Sequence, residues 1–444
     1  MMKIETLQDI RKLTPQNLLD VFKETRVFQI TLNKVWANRT DIKKRFINPI
    51  DFIESTSKDI ADAISAPIDE DYWLIILGEP GTGKSALSIA FYKYIMKHLG
   101  YTDEQIRENI YLDVCYLPYD YIGRINLHSK QIQERGRIFP YPIVLDEAHN
   151  MFDLFAEGAT GIARKILQRI FEIREYRLAH IVNTQIPRQL ASRSRERFHS
   201  LIVLWKEPIY IGEGSTPLME ELYLSYTKNI LKKDIGDGKI GYFLWGAFYN
   251  KEVTHSIMRW VIKHQISIEE VRPILKKFTP DFFFPMLLLL HESTELRKVY
   301  AEIKLYNNSI KSLYDAFGIK GSKKSTFLKI LVELGKNINN IKDKKDSKGN
   351  YIVDPSISVR VDNEKIVEAL QYIGNVSKEY VYEESIDTDQ NIKVETYKRI
   401  KRIIHEEYYT KIKSIHPDIY FFLKNNYYII EKRAKLHAAT GYQL

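Results

Sequence analysis

The chain has 444 residues, of which 44% are hydrophobic and 28% are charged. This composition is typical of globular proteins and excludes a fibrous or wholly disordered chain. A single cysteine excludes an intrachain disulfide and a zinc site built from several cysteines. The net charge of +9 is compatible with a polyanionic partner, although it does not identify one.

Neither a signal peptide nor a membrane span is expected. Residues 1–18 carry charges throughout and lack a continuous apolar stretch. The longest apolar run, residues 282–290, is interrupted by Pro285 and has about half the length that a membrane-spanning helix needs. We therefore expect a buried helix in this run and a cytoplasmic protein, in the host cytoplasm if the protein is viral.

The apolar pattern divides the chain into five regions. Residues 1–70 predict a helical N-terminal extension, and residues 71–210 predict a parallel sheet covered by helices. A mixed α/β and then helical region is expected at 211–300, a candidate winged helix-turn-helix at 301–360, and a helical C-terminal region at 361–444. The strand candidates are residues 72–77, 110–117, 143–145, 180–183 and 201–205, followed by a strand pair at 222–226 and 241–248.

A glycine-rich loop separates the first strand candidate from a helical segment. Residues 78–85 read Gly-Glu-Pro-Gly-Thr-Gly-Lys-Ser, which is the spacing of a P-loop. Its glycines let successive N–H groups point at phosphates, and the following helix adds its dipole. Lys84 can reach the β- and γ-phosphates of ATP, and Ser85 can bind Mg²⁺. The predicted nucleotide-binding residues are Gly78, Glu79, Pro80, Gly81, Thr82, Gly83, Lys84, Ser85 and Ala86.

Two carboxylates follow the apolar run at 143–145. Asp146 stands where the carboxyl edge of a parallel sheet is expected, and from there it can hold Mg²⁺ together with Ser85. The next residue, Glu147, can orient or deprotonate an attacking water. The sequence therefore predicts a Mg²⁺-dependent ATPase of the α/β class, with a P-loop NTPase core, a mostly parallel sheet and helical flanking regions.

Consecutive polar residues also end the strand candidate at 180–183. Residues 180–187 read His-Ile-Val-Asn-Thr-Gln-Ile-Pro. An amide at this position can contact the γ-phosphate and so report whether ATP or ADP is bound. Gln185 is the first candidate for this sensor, and Asn183 is the second.

The sequence around this strand resembles a known family. Residues 174–185 read Arg-Glu-Tyr-Arg-Leu-Ala-His-Ile-Val-Asn-Thr-Gln and follow the Asp-Glu-Ala-His of residues 146–149. From residue 72 to residue 205 the chain resembles the ATPase core of the FtsK/HerA superfamily of DNA-pumping motors. The resemblance implies a motor that translocates or packages DNA, of archaeal virus or plasmid type. It also implies that Gln185 senses the γ-phosphate and that Arg174 acts across subunits.

Asn183 is followed by Arg193, Arg195 and Arg197 and then by the run at 198–204. This arrangement also resembles an AAA+ module, a family that acts in replication initiation, transposition or remodelling of protein–DNA complexes. Asn183 is then the sensor and these three arginines are candidates for the arginine finger, with Arg177 as a further alternative. Arg177 stands where a glycine is common in the DNA-pumping family. Because both families take the finger from the next subunit, either resemblance implies a homo-oligomeric ring, expected to be a hexamer. A slow nucleotide switch with a structural role is the remaining alternative.

The region 301–360 contains a helix-turn-helix pattern. Residues 310–319 and 322–331 each have an apolar face at helical spacing, and Gly318 ends the first segment. The start of the second segment is basic and polar, as expected for contacts to DNA phosphates and base edges. The predicted DNA-binding residues are Lys323, Lys324, Ser325 and Thr326; an ordinary helical hairpin with a solvated basic face is the alternative.

Overall fold

The computed structural model describes residues 19–20, 22–23, 26–36, 39–67, 70–116, 118–148, 176–187, 197–210 and 240–286, with Lys432 and Ala439. The chain forms two compact units, one made of residues 1–121 and 128–300 and the other of residues 122–127 and 301–444. Inside the second unit, the Asn126 side chain donates a hydrogen bond to the carbonyl of Ala439 at 2.9 Å. The sheet lies entirely in the first unit.

Eight helices and seven strands have defined bounds within the described residues. The helices are α1 (Arg26–Trp36), α2 (Thr40–Lys43), α3 (Pro49–Ser65), α4 (Lys84–His98), α5 (Asp103–Asp113), α6 (Pro118–Arg135), α7 (Lys251–Lys263) and α8 (Ile268–Leu275). The strands are β1 (Tyr72–Gly78), β2 (Val114–Cys115), β3 (Tyr141–Leu145), β4 (Leu178–Thr184), β5 (Ser200–Tyr210), β6 (Ile240–Tyr249) and β7 (Phe282–Pro285).

All seven strands join one sheet in the order β2-β3-β4-β1-β5-β6-β7. The pairs from β2 to β5 are parallel, whereas β6 runs antiparallel to β5 and β7 antiparallel to β6. The mostly parallel sheet with its helices confirms the α/β class. Since β4 lies between β1 and β3, the carboxyl ends of these three strands meet at one edge.

Four of the five core strand candidates are confirmed as β1, β3, β4 and β5, and the prediction for residues 110–117 is mostly wrong. Helix α5 continues to Asp113, so β2 contains only Val114 and Cys115. A capping box between Thr102 and Gln105 starts this helix, and its apolar face continues into the run that suggested a strand. The expected burial of Cys115 is confirmed.

The helix predicted for residues 282–290 is wrong in its first half. Phe282–Pro285 form β7, which pairs with β6 and places alternate phenylalanines on opposite faces of the sheet. The remaining residues, 287–290, lie outside the described part of the chain. The strand predicted at 241–248 is confirmed within β6, while 222–226 also lies outside the described residues.

Aromatic side chains fill both faces of the sheet at its β5–β7 end. On one face, Trp245 stacks on Phe283 with ring centroids 5.1 Å apart, and Trp36 from α1 packs edge-on against Phe283 at 5.1 Å. On the other face, Phe52 from α3 stacks on Phe284 at 4.5 Å. Helices therefore cover both faces, and the N-terminal helices contribute directly to the core. No helix in the described ranges is long and apolar enough to cross a membrane.

Candidate active site

The glycine-rich loop connects β1 to α4 in a conformation that requires its glycines. Gly81 and Gly83 have φ angles of 76° and 90°, which place them in the left-handed region. A Cβ atom added to Gly78 would lie 2.6 Å from Thr82 Oγ1 and 3.0 Å from the carbonyl oxygen of Leu204. The loop is closed internally, because Thr82 Oγ1 donates to the carbonyl of Glu79 at 2.8 Å.

Lys84, the first residue of α4, folds its side chain over this loop. Its ammonium group donates to the carbonyls of Gly78 and Glu79 at 2.8 and 2.9 Å. This position holds a positive charge at the N-terminus of a 15-residue helix, where the helix dipole also favours anions. The loop therefore combines two features that attract phosphate, both supplied by residues of the motif.

Ser85 and Asp146 meet at the carboxyl edge of the sheet. Ser85 Oγ donates a hydrogen bond to Asp146 Oδ1 at 3.0 Å, and Asp146 is only 1% exposed. A hydroxyl and a carboxylate are oxygen ligands of the kind that Mg²⁺ prefers. The described residues contain no group of three or more His, Cys, Asp or Glu side chains able to hold a metal by themselves. A Mg²⁺ ion here would complete its coordination with phosphate oxygens and water.

Glu147 follows Asp146 in an unusual backbone conformation. Its φ angle of 51° lies in the left-handed region, which costs a non-glycine residue about 1–3 kcal/mol. The conformation is held by Asn183, whose Oδ1 accepts a hydrogen bond from the Glu147 N–H at 2.9 Å. The next N–H, that of Ala148, donates to the Asn183 carbonyl at 2.9 Å. Backbone strain held by a buried polar residue is typical of functional sites.

A chain of hydrogen bonds connects this turn to α4. Asn183 Nδ2 donates to Ser88 Oγ at 3.1 Å, and Ser88 Oγ donates to the carbonyl of Lys84 at 3.0 Å. Asn183 and Ser88 are both fully buried. Because both ends of the Asn183 amide bind inside the protein, Asn183 joins the glycine-rich loop to Glu147 rather than facing a ligand.

Gln185 lies just beyond the carboxyl end of β4 and is partly exposed. In β4, Thr184 is in register with Leu77 of β1, and Val182 is in register with Leu145 of β3. Gln185 therefore stands at the same sheet edge as the glycine-rich loop and Asp146. No hydrogen bond joins the Gln185 side chain to another described residue. The Asn183 amide, in contrast, is hydrogen-bonded at both ends.

The prediction that Arg197 is an arginine-finger candidate is wrong. Its guanidinium is buried and forms an ion pair with Asp71 at 3.2 Å, and Asp71 also accepts from the indole of Trp73 at 2.6 Å. Removing a buried arginine from such a pair would leave an uncompensated carboxylate. Arg197 therefore anchors the start of β1 and is not available to a neighbouring subunit.

Of the other arginine-finger candidates, only Arg177 lies within the described residues. Arg177 immediately precedes β4, at the opposite edge of the sheet from Gln185, and has a φ angle of 53°. This left-handed backbone explains why glycine suits the position, since glycine adopts it without strain. Arg174, Arg193 and Arg195 lie outside the described residues, as do Lys323, Lys324, Ser325 and Thr326.

Two basic residues near the loop were missed by the sequence analysis. Arg272 of α8 forms an ion pair with Glu79 at 3.3 Å and donates to the carbonyl of Lys206 at 2.6 Å. Lys206 itself lies against the loop, because a Cβ atom on Gly81 would be 3.4 Å from its Nζ. Neither residue belongs to a motif, so only the tertiary structure brings them to the site.

Two histidines, the fully buried His180 and the partly buried His199, lie beside β1 away from the carboxyl edge. His180 stacks on Trp73 with ring centroids 4.0 Å apart, and burial lowers the pKa of His180 to about 4. Burial likewise lowers the pKa of His199 to about 4, and His199 Nδ1 accepts from the backbone N–H of Trp73 at 3.0 Å. Both imidazoles are therefore neutral at pH 7, with packing roles beside β1.

A scan against models of protein families finds no match, and a search of curated proteins finds none either. The function is therefore inferred from the motifs and from the geometry of this sheet edge.

Proposed function

We propose that the protein is a Mg²⁺-dependent ATPase whose nucleotide lies on the glycine-rich loop. The observation that carries this proposal is the 3.0 Å hydrogen bond between Ser85 Oγ and Asp146 Oδ1. It brings a hydroxyl at the start of α4 and a carboxylate from the end of β3 to one point beside a phosphate-binding loop. The strained backbone of the adjacent Glu147 supports a catalytic role at the same edge.

Each residue of the site has a separate role in the hydrolysis of ATP. The loop N–H groups and Lys84 bind the β- and γ-phosphates of ATP, displacing the lysine from the carbonyls of the loop. Ser85 and Asp146 would hold Mg²⁺, which offsets phosphate charge. Glu147 orients a water and accepts its proton as the water oxygen bonds to the γ-phosphorus. The bond between that phosphorus and the β–γ bridging oxygen then breaks, giving ADP and inorganic phosphate.

We further infer that the ATPase is a ring-forming motor that translocates or packages DNA. The support is the sequence resemblance around β4, in particular Thr184, Gln185 and Pro187. Arg177 departs from that family, which commonly has glycine at this position, although its left-handed backbone is one that glycine adopts readily. The AAA+ alternative is less well supported, because the amide of its expected sensor, Asn183, is bound inside the protein.

Glu147→Gln is the direct test of the catalytic proposal. We expect turnover to fall by about 10²–10⁴-fold, because the amide cannot accept the proton of the water. ATP affinity, measured by titration calorimetry with Mg²⁺, should remain close to that of the wild type. Lys84→Ala is the matched variant, in which binding itself should be lost. Wild-type turnover in Glu147→Gln would remove the catalytic assignment.

A second experiment tests the DNA motor. The ATPase rate is measured with and without double-stranded DNA at low salt, and the mass of the assembly is measured with ATP and Mg²⁺. We expect stimulation by DNA and the mass of a closed ring, because the finger must come from a neighbour. A rate indifferent to DNA in a monomeric protein would instead favour a nucleotide switch.

A further inference from the structure

One tryptophan differs from the other four in the chain. Trp36, Trp73, Trp205 and Trp245 are almost completely buried, whereas Trp260 on α7 is 41% exposed. Exposing part of a large aromatic side chain leaves apolar surface in water, which is unfavourable for folding. The exposed ring therefore calls for an explanation outside the core of this unit.

Positively charged and aromatic groups surround the Trp260 ring. Lys277 Nζ, just beyond the end of α8, lies 5.0 Å from the ring centroid. The imidazole of His264 lies 4.3 Å from the indole with an angle of 35° between the planes. The ring is thus held between two helix ends by contacts that leave a large part of it accessible.

Further cations extend this surface. Arg259 and Lys263 on α7 and Lys276 after α8 are exposed. We call the six residues Arg259, Trp260, Lys263, His264, Lys276 and Lys277 the Trp260 surface. Among the described residues, none of its arginine and lysine side chains is paired with a carboxylate.

Two acidic residues lie at the start of α8, at the other end of this helix from Lys276 and Lys277. Glu269 and Glu270 lie in the first turn of α8, and Glu270 accepts hydrogen bonds from the N–H and hydroxyl of Ser267 at 2.8 Å in a capping box. Basic residues at helix ends also favour the helix dipole, but that role does not require an exposed indole. The combination of an accessible ring with unpaired cations fits a polyanion that also offers flat aromatic groups.

We propose that the Trp260 surface binds single-stranded DNA, with one base stacked on the indole and the neighbouring phosphates bound by Arg259, Lys263, Lys276 and Lys277. Stacking on an aromatic side chain together with a basic track is the usual way of binding single strands. A base inside a duplex cannot offer its face, so the exposed ring selects the single strand. The inference deepens and rests on the proposed action on DNA, but it does not depend on ATP hydrolysis.

The buried state of the other four tryptophans makes the test specific. Intrinsic fluorescence of the full chain, without nucleotide, is followed while a single-stranded oligodeoxynucleotide of mixed sequence is added at low salt. We expect quenching, because a stacked base contacts the only accessible indole. Trp260→Phe should lose the quenching and keep most of the affinity, measured by anisotropy of a labelled oligonucleotide. Trp260→Ala should weaken binding by roughly 10-fold or more.

Lys277→Gln tests the phosphate contact. We expect weaker binding and a shallower dependence on salt, with the log–log slope reduced in magnitude by about 0.7. Lys58→Gln, at an exposed lysine of α3, is the matched control and should change neither quantity. Equal effects of the two substitutions would show only a general loss of charge and would overturn the assignment.

Three other outcomes would also overturn the inference. They are equal quenching by a duplex of the same sequence, equal binding of polyglutamate as a mimic of an acidic protein, and no quenching by any probe. Stimulation of the ATPase by DNA is measured in the same samples. If DNA stimulates Trp260→Ala as strongly as the wild type and binds it equally well, the inference fails while the proposed motor stands.

Discussion

The two halves of the sheet differ in how their residues are connected to function. In the parallel half, from β2 to β5, the polar residues follow the carboxyl ends of the strands, and short motifs carry them. In the antiparallel half, from β5 to β7, the side chains that matter are aromatic and come from distant parts of the sequence. The proposed active site therefore lies in the half that local patterns describe, whereas much of the aromatic core lies in the other half.

The two halves are nevertheless in contact at the glycine-rich loop. Arg272, which lies on α8 between β6 and β7 in the chain, pairs with Glu79 at 3.3 Å. Lys206 of β5, the strand shared by both halves, lies against the same loop. The antiparallel half thus has a role beyond stability, because it helps to fix the charge around the candidate phosphate site.

The largest expected effect concerns the aromatic half. Trp245 is fully buried and packs against Phe22, Phe28 and Phe283. Trp245→Ala should lower the free energy of unfolding by about 3–5 kcal/mol, read from urea denaturation followed by circular dichroism. Trp260→Ala is the exposed control, with a change of about 0.5 kcal/mol or less expected. A loss below about 1 kcal/mol in Trp245→Ala would contradict the view that this half supplies much of the core.

The second prediction concerns the hydrogen bonds behind Glu147. Asn183→Ala removes the acceptor of the Glu147 N–H, so turnover should fall by about 10²-fold, equivalent to about 2.7 kcal/mol in the activation barrier, at nearly unchanged ATP affinity. Ser88→Ala releases one end of the Asn183 amide and should give a smaller loss of about 10-fold. Both are measured by steady-state kinetics and calorimetry, with thermal unfolding as the check on folding.

Gln185→Ala distinguishes the hypothesis of a DNA-pumping motor from that of an AAA+ module. If Gln185 senses the γ-phosphate, its loss should reduce turnover without lowering the melting temperature, since the side chain is partly exposed. A silent Gln185→Ala, combined with wild-type turnover in Ser88→Ala and inactivity of Asn183→Ala, would instead identify Asn183 as the sensor. That combination would favour the AAA+ reading over the DNA-pumping motor.

The smallest expected effect is at the contact between the two halves. Arg272→Gln leaves the Glu79 carboxylate unpaired beside the loop, so ATP affinity should fall by about 2- to 5-fold, or 0.5–1 kcal/mol, for a partly exposed pair. The double variant Glu79→Gln/Arg272→Gln should recover most of this loss, which a double-mutant cycle measures. Additive effects of the two substitutions would mean that the ion pair does not act on the site.

The candidate site was largely predictable because its residues follow strands in local motifs. The glycine-rich motif predicts Gly78, Lys84 and Ser85, and the carboxylates after an apolar run predict Asp146 and Glu147. The structure brings Ser85 and Asp146 together. The errors have local causes as well. A capped helix continues into the run at 110–117, and the three consecutive phenylalanines of β7 begin a continuous apolar run that is also typical of a buried helix.

Residues whose positions depend on distant contacts were not predictable. The sequence offers Arg197 as one of several arginine-finger candidates, yet Asp71 binds it inside the protein, 126 positions away in sequence. Arg272 reaches Glu79 across 193 positions, and no periodicity or spacing indicates such a contact.

The sequence by itself determined the glycine-rich loop, the acidic turn after β3 and the alternation that gives an α/β sheet, since backbone conformation and burial impose these patterns locally. Only the tertiary structure decided that β4 lies between β1 and β3, that the Asn183 amide holds Glu147 and that Trp260 is the exposed tryptophan. Strand order and side-chain exposure depend on the packing of segments far apart in the chain, so they are properties of the whole fold.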